Sequence, residues 1–299
     1  MKKGILFLSL FTAIFFWVQC QKDIAVKIQD YDGRPVIECI LYPGKTPQLF
    51  LSASTGFFSD QSTPQQLFLR SAIVKITGPS GTDSLVMDSC FDNFRCRWAP
   101  YYKGAIPAQT NGTYHLSVTY AGKTYTATTS VNQPRITIQS VSYVYSFHDV
   151  YGDHEGVVVS FPDAAGSGNF YRYQMGRMID SSVYGASNLG AIHSTCTNGN
   201  LFYVRELGRS VYSDKNIDGQ TITIIAEPAY LHQQDDTGYV FIQSIDSASA
   251  SFYDQLDKQK LAQFNPFVEP VFVKSQIDGC IGVFGSAVVS DSVLFVYPE

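Results

Sequence analysis

The sequence predicts an all-β chain: an N-terminal immunoglobulin- or transthyretin-like β-sandwich followed by a larger β-sandwich or barrel-like domain carrying one helix. Three observations carry this. The 299 residues include 19 Tyr and 21 Phe, and only 16% are charged, a composition that suits pleated, half-buried surfaces. Short β-branched and aromatic runs are separated by Pro, Gly and Asn turn signals. Only one stretch, from about Ser247 to Phe264, has helical periodicity, and it stops at Asn265-Pro266.

The chain opens with Lys2 and Lys3 and an apolar run from Ile5 to Val18, broken only by Ser9 and Thr12. That run is shorter than the roughly 20 residues needed to span a bilayer, and it fits the core of a signal peptide over 1–19. Cys20 follows directly, and the arrangement resembles the lipobox of bacterial lipoproteins, with Gln19 standing where a small residue is usual. The resemblance implies cleavage before Cys20, acylation of that residue (palmitate among its chains) and an outer-membrane anchor. The alternative is an ordinary cleaved signal that leaves Cys20 as a thiol. Residues 20–23 then form the lipidated Cys and a tether, and Gln21-Lys22-Asp23 resembles the signal that sends Bacteroidetes lipoproteins to the extracellular face. A tether of about three residues reaches only about 10 Å, so the first domain is expected against the membrane.

Residues 24–133 read as the first sandwich. Ile24 to Ile28, Val36 to Tyr42, Gln48 to Ala53, Ile73 to Thr77 and Ser84 to Asp88 are strand runs. Thr113 to Thr129 is a hairpin turning at Ala121-Gly122, with Tyr114, Leu116, Val118, Tyr125 and Ala127 on one face. Asn132-Gln133-Pro134 reads as a linker, and 134–299 as the second domain. That domain opens with a hairpin, Ile136 to Phe147 and Gly156 to Phe161, with its tip at His148 to Glu155. Phe170 to Ile179, a long Ser181–Asn200 loop, Thr221 to Ala226, Tyr239 to Ile245, the helix and a final strand region from Gly279 to Val296 follow.

Formal charge is −5, and removing Lys2 and Lys3 takes it to about −7, with no basic cluster left. Nucleic acid is therefore not an expected partner. Six cysteines are present. Cys90 and Cys96 flank a short loop and are the first candidate disulfide; Cys196 with Cys280 is the second, and Cys39 reads as a buried thiol. No zinc, haem or redox spacing occurs, and no cofactor is expected.

Candidate sites are few. His148, Asp153, His154 and Glu155 offer imidazoles and carboxylates to a cation if the tip curls, though a hairpin tip is also where solvated polar residues belong. Trp98, Tyr101 and Tyr102 offer an aromatic platform for a sugar ring, though a plug for one end of the sandwich core is the preferred reading. Gly279, Gly282 and Gly285 are spaced unlike phosphate loops and read as structural, marking a bulge, a bend or a close backbone approach within strands. No nucleophile elbow or metalloprotease motif occurs, so a non-catalytic role is expected.

The stretch NPFVEPVFVKSQIDGCIGVFGSAVVS (265–290) resembles the Bacteroidetes lipoproteins of domain of unknown function 4249. VIECIL (36–41), QLFLSAS (48–54), GTYHLSVTYAGKTYTATTSV (112–131), NFYRY (169–173) and FIQSIDSASASFYDQL (241–256) extend the likeness over nearly the whole chain. The resemblance implies a surface or outer-membrane lipoprotein that works beside a TonB-dependent receptor, as an accessory or binding subunit for uptake. A free-standing adhesin or glycan-binding lipoprotein is the alternative, with a surface hydrolase behind it. No catalytic residues come with the family, and the ligand is not named by it.

Overall fold

Alternation along the strands decides how this chain packs. In β1 (Pro35–Leu41), Ile37, Cys39 and Leu41 are buried while Glu38 and Ile40 point to the other face. β2 (Gln48–Ala53) repeats the pattern with Leu49 and Leu51. A short helix, α1 (Pro64–Leu67), is held by a capping box between Thr63 and Gln66. β3 (Ile73–Gly78), β4 (Gly81–Asp92), β5 (Arg97–Lys103) and the hairpin β6 (Thr113–Tyr120) and β7 (Lys123–Ser130) complete the first part. The computed structural model describes residues 33–56, 63–92, 97–149, 152–180, 201–207, 211–228, 232–262 and 271–298. The signal segment, Cys20, the tether, the strand expected at Ile24 to Ile28 and the Ser181–Asn200 loop lie outside the described residues.

β4 bends the first part into a sandwich. Its first residues, Gly81 to Leu85, pair with β3, and Val86 to Asp92 pair with β5. One strand thus passes from the β3–β6–β7 side to the β5–β2–β1 side. Between them lies a core of Ile37, Leu49, Leu51, Val74, Leu116 and Val118, all almost wholly buried.

The second part is built from β8 (Ser140–Asp149), β9 (Gly152–Pro162), β10 (Phe170–Asp180), β11 (Leu201–Leu207), β12 (Tyr212–Ser213), β13 (Thr221–Ala226), β14 (Thr237–Ile245), helix α2 (Ser247–Ala262), β15 (Ile281–Val289) and β16 (Val293–Val296). A three-stranded sheet, β13-β9-β8, supplies Val157, Val159, Phe161, Ile222 and Ile224 to a second core. β10, β14 and the C-terminal strand supply Tyr171, Tyr173, Met175, Val240, Ile242 and Phe295. The fold is all-β in two sandwich layers, with two helices among the described residues.

One ladder joins the parts: β11-β10-β14-β15-β1-β2-β5-β4-β3-β6-β7. The junction is a parallel pairing of β15 with β1, from Val36 opposite Ile281 to Leu41 opposite Ser286. Gly282 makes it tight, since a Cβ there would lie 1.9 Å from the Ile37 carbonyl oxygen. Gly285 is equally confined on the other side, 1.8 Å from Ser249 Oγ, where α2 crosses. The two hydrophobic clusters change over between Val131 and Ile136. Gly33–Glu299 is nonetheless one compact unit, because Ile277, Cys280 and Phe284 from the C-terminal region fill the first core.

α2 is fixed at its start by Asp246. Its carboxylate accepts from the Ser249 N–H (3.0 Å) and hydroxyl (2.7 Å), and from the Ser286 N–H on β15 (2.5 Å). The cap satisfies an otherwise orphaned helix donor and pins the helix across β15 at the same time. Phe252 and Ala250 are its buried anchors.

Candidate functional site

The face of β10 and β14 turned away from the second core is polar. Arg172 and Gln174 alternate with Tyr171, Tyr173 and Met175 on β10, and the register sets Arg172 opposite Gln243 and Gln174 opposite Phe241. Val289 of β15 lies opposite Gln243 on the far side. These neighbours form the floor of a cavity of about 430 Å³, walled by Tyr42, Pro43 and Lys45 from the β1–β2 connection and by Arg135 from the stretch after β7. Its volume is in the range of small-molecule sites.

The floor residues are buried overall, while their amides stay open to the cavity and are little bonded within the protein. Gln174 is 6% exposed and Gln243 3%. Gln243 makes one long bond, Nε2 donating to the Tyr42 hydroxyl at 3.4 Å. Among the described residues the Gln174 side chain makes no hydrogen bond, and the exposed Lys45 ammonium has neither hydrogen bond nor ion pair, the Lys45 backbone being bonded to Tyr42 and Ala108. Arg135 is partly neutralised by Asp291.

A second cavity of about 380 Å³ shares Tyr42 and Lys45 with the first and is lined also by Glu38, Ile40, Gln48, Phe50 and Tyr253. Tyr253 on α2 donates its hydroxyl to Glu38 Oε1 at 2.7 Å. Burial first, and then the Glu38 carboxylate, push the Tyr253 hydroxyl far above its ordinary pKa, so it remains a donor. Behind it, the Arg172 guanidinium sits 4.1 Å from the Tyr253 ring centre and 3.6 Å from Asp257 of the same helix. Arg172 thus anchors α2 over the sheet by cation–π contact and charge.

With this geometry in hand, likeness to known proteins adds one firm fact. Residues 21–292 match the family described as Domain of unknown function (DUF4249). The chain belongs to that family. No curated protein matches it.

In this DUF4249 chain the sequence-predicted sites fall elsewhere. The expected His148–Glu155 tip is ladder rather than loop: His148 pairs with Asp153 and Asp149 with Gly152. Strand alternation turns His154 to the other face from His148, Asp153 and Glu155, and Glu155 is drawn to a different partner from the His148–Asp153 pair. His148 contacts Asp153 at 3.1 Å on the open surface. His154 lies 3.5 Å from Glu227 and packs on Phe147. Glu155 accepts from His232 at 2.8 Å, beside Tyr143. The four do not converge. Another acidic group does, Asp163, Asp214 and Asp218, with carboxylate oxygens within 4.8 Å of one another. Their oxygens are occupied by the Tyr171 hydroxyl and by the N–H groups of Gly219, Gly168, Asn169 and Gly166, so they staple two loops together.

Trp98, Tyr101 and Tyr102 do not form one platform. Tyr102 is core, stacked near Phe68 and donating to the Leu69 carbonyl at 2.8 Å. Tyr101 points to the opposite face, against Phe50, and donates to Asp88. Trp98 alone is open, edge-on to Phe91 at the end of the β4–β5 hairpin. Cys90 is an exposed thiol opposite Ala99, and Cys280 is a buried one whose pKa burial raises to about 11. Their expected disulfide partners, Cys96 and Cys196, lie outside the described residues.

Sequence reasoning passed over Gln174, Gln243, Tyr42, Lys45 and Arg135. A signal was present in FYRYQM and FIQSI, where polar residues recur on one face of strands too apolar to be exposed.

Proposed function

We propose that this protein is a non-catalytic lipoprotein that binds a small ligand in the cavity at the β1–β15 junction and serves as a subunit of an outer-membrane uptake system. The observation that carries the binding role is the buried, under-bonded floor of Gln174 and Gln243 beneath the unpaired Lys45. Such groups cost stability when they are left without partners, and a bound ligand gives them a use. The membrane role is supported by the signal-like run ending at Cys20, which supplies an acyl anchor, and by the family likeness. A lipid anchor with several chains holds firmly where the acidic chain would not. The partner in this reading is a TonB-dependent receptor, whose barrel rim lies at the membrane surface that the short tether reaches.

Tagged protein extracted from its native host in mild detergent is expected to co-purify with such a receptor. Cys20→Ala is expected to leave the membrane fraction and lose the receptor together. Recovery of the wild-type chain alone, with nutrient uptake unchanged on its deletion, would contradict the proposal.

A further inference from the structure

We infer that the ligand of the 430 Å³ cavity is a short peptide with a free C-terminal carboxylate and an apolar last side chain. This inference rests on the binding role proposed above and adds the ligand's chemistry to it. Besides the Tyr42 hydroxyl, which accepts from Gln243, the described lining sorts into three kinds of group: Pro43, Phe241, Val288 and Val289 are apolar, Gln174 and Gln243 are amides, and Lys45 and Arg135 are cations. Among the described residues no carboxylate lines this cavity.

Each kind has one natural complement. A Gln side chain carries a carbonyl acceptor and an N–H donor pair, the same functions as a peptide unit, so two neighbouring Gln can bond both the N–H and the C=O of one peptide group. The register places these two side chains on the same face of adjacent strands as diagonal neighbours, Gln243 lying two residues from Phe241, the partner of Gln174. Gln174 is more than nine-tenths buried as a residue, its amide has no side-chain partner among the described residues, and that amide lines the cavity and is open to it. Lys45 is an unpaired cation at the wall, which suits a carboxylate that arrives already ionised. Arg135 already shares its charge with Asp291, so Lys45 is the dominant reader of the anion. The aliphatic and Phe surface then takes the terminal side chain. A sugar acid satisfies the cations but brings hydroxyls against Phe241, Val288 and Val289, where no partner awaits them.

The test is calorimetric titration of the full chain, purified from membranes in mild detergent, with three probes: N-acetyl-alanyl-leucine, its C-terminal amide, and a glucuronic-acid disaccharide. The peptide acid is expected to bind, the amide to bind about tenfold or more weakly, and the disaccharide more weakly still, a tenfold step being one charge-assisted hydrogen bond's worth of affinity. Lys45→Ala is expected to bring acid and amide to within about threefold of each other, and Gln174→Met to weaken both by about tenfold with circular dichroism unchanged. Equal affinity for acid and amide in the wild type, tighter binding of the disaccharide, or no binding of the peptide acid by the folded protein would each overturn the inference. If receptor co-purification survives such a result, the ligand class alone is wrong. If peptide binding holds and co-purification fails, the membrane partnership is wrong.

Discussion

The two faces of the β10–β14 pair are buried to similar depth and filled in opposite ways. On one, Tyr171, Met175, Val240 and Ile242 are fully buried and Tyr173 nearly so, against the β13-β9-β8 layer. On the other, Arg172, Gln174 and Gln243 are buried beneath α2 and the cavity walls. The apolar face is what stability alone would select. The polar face includes an amide without a protein partner, which stability does not reward. On the binding role proposed above, the difference separates the part of the molecule that holds it together from the part that takes the ligand.

Breaking the apolar face should have the largest effect. Ile242→Ala removes a fully buried side chain and is expected to cost about 3 kcal/mol, read as a lower urea midpoint with unchanged slope.

A smaller effect should come from the aromatic cluster at the edge of that core. Glu155 is held below its ordinary pKa chiefly by the hydrogen bond from Tyr143, with His232 adding to it against an opposing effect of burial. A carboxyl depressed in the folded state contributes stability above its unfolded pKa and loses it as pH falls through the folded value. The stability gap between wild type and Glu155→Gln is therefore expected to be widest near pH 7 and to close below about pH 4, the ordinary carboxylate range. The gap stays under about 1 kcal/mol because the side chain is half exposed. A gap that widens on acidification would show that the pair is not held as described.

The smallest effect is expected at the hairpin end. Trp98, Met87 and Phe91 are large apolar residues left open to solvent. Trp98→Ser should change the urea midpoint by less than about 0.5 kcal/mol, in contrast to any residue of either core.

These contrasts also mark how far the sequence could be read. Strand alternation in β1, β2 and the β6–β7 hairpin is local, so Ile37, Leu49, Leu116 and Val118 were legible as core residues. Helix α2 was legible from its spacing and its Pro stop. The parallel pairing of β1 with β15 was not, because Val36 and Ile281 lie far apart in the chain and parallel ladders have no turn signature. The close packing at Gly282 and Gly285 left a trace in the glycine spacing, though not the identity of what packs there. Site reasoning failed for a related reason. It followed dense polar segments such as His148–Glu155, but in the ladder His154 turns to the opposite face and Glu155 is engaged by His232, so density in sequence does not become a cluster in space. Gln174 and Gln243 were single polar residues in apolar strands, and the long-range pairing that makes them neighbours carries no local mark.

The most direct measurement is the stability of a double variant, Gln174→Met with Gln243→Met, in the absence of ligand. The two substitutions keep an unbranched shape while removing the under-bonded amides. If the polar face is kept for binding, the unfolding free energy read from the urea midpoint should hold or rise, by up to about 1 kcal/mol, while binding in the cavity is lost. A fall of about 3 kcal/mol, matching a truncated core residue, would show that the amides hold the fold together and that the cavity is not a binding site.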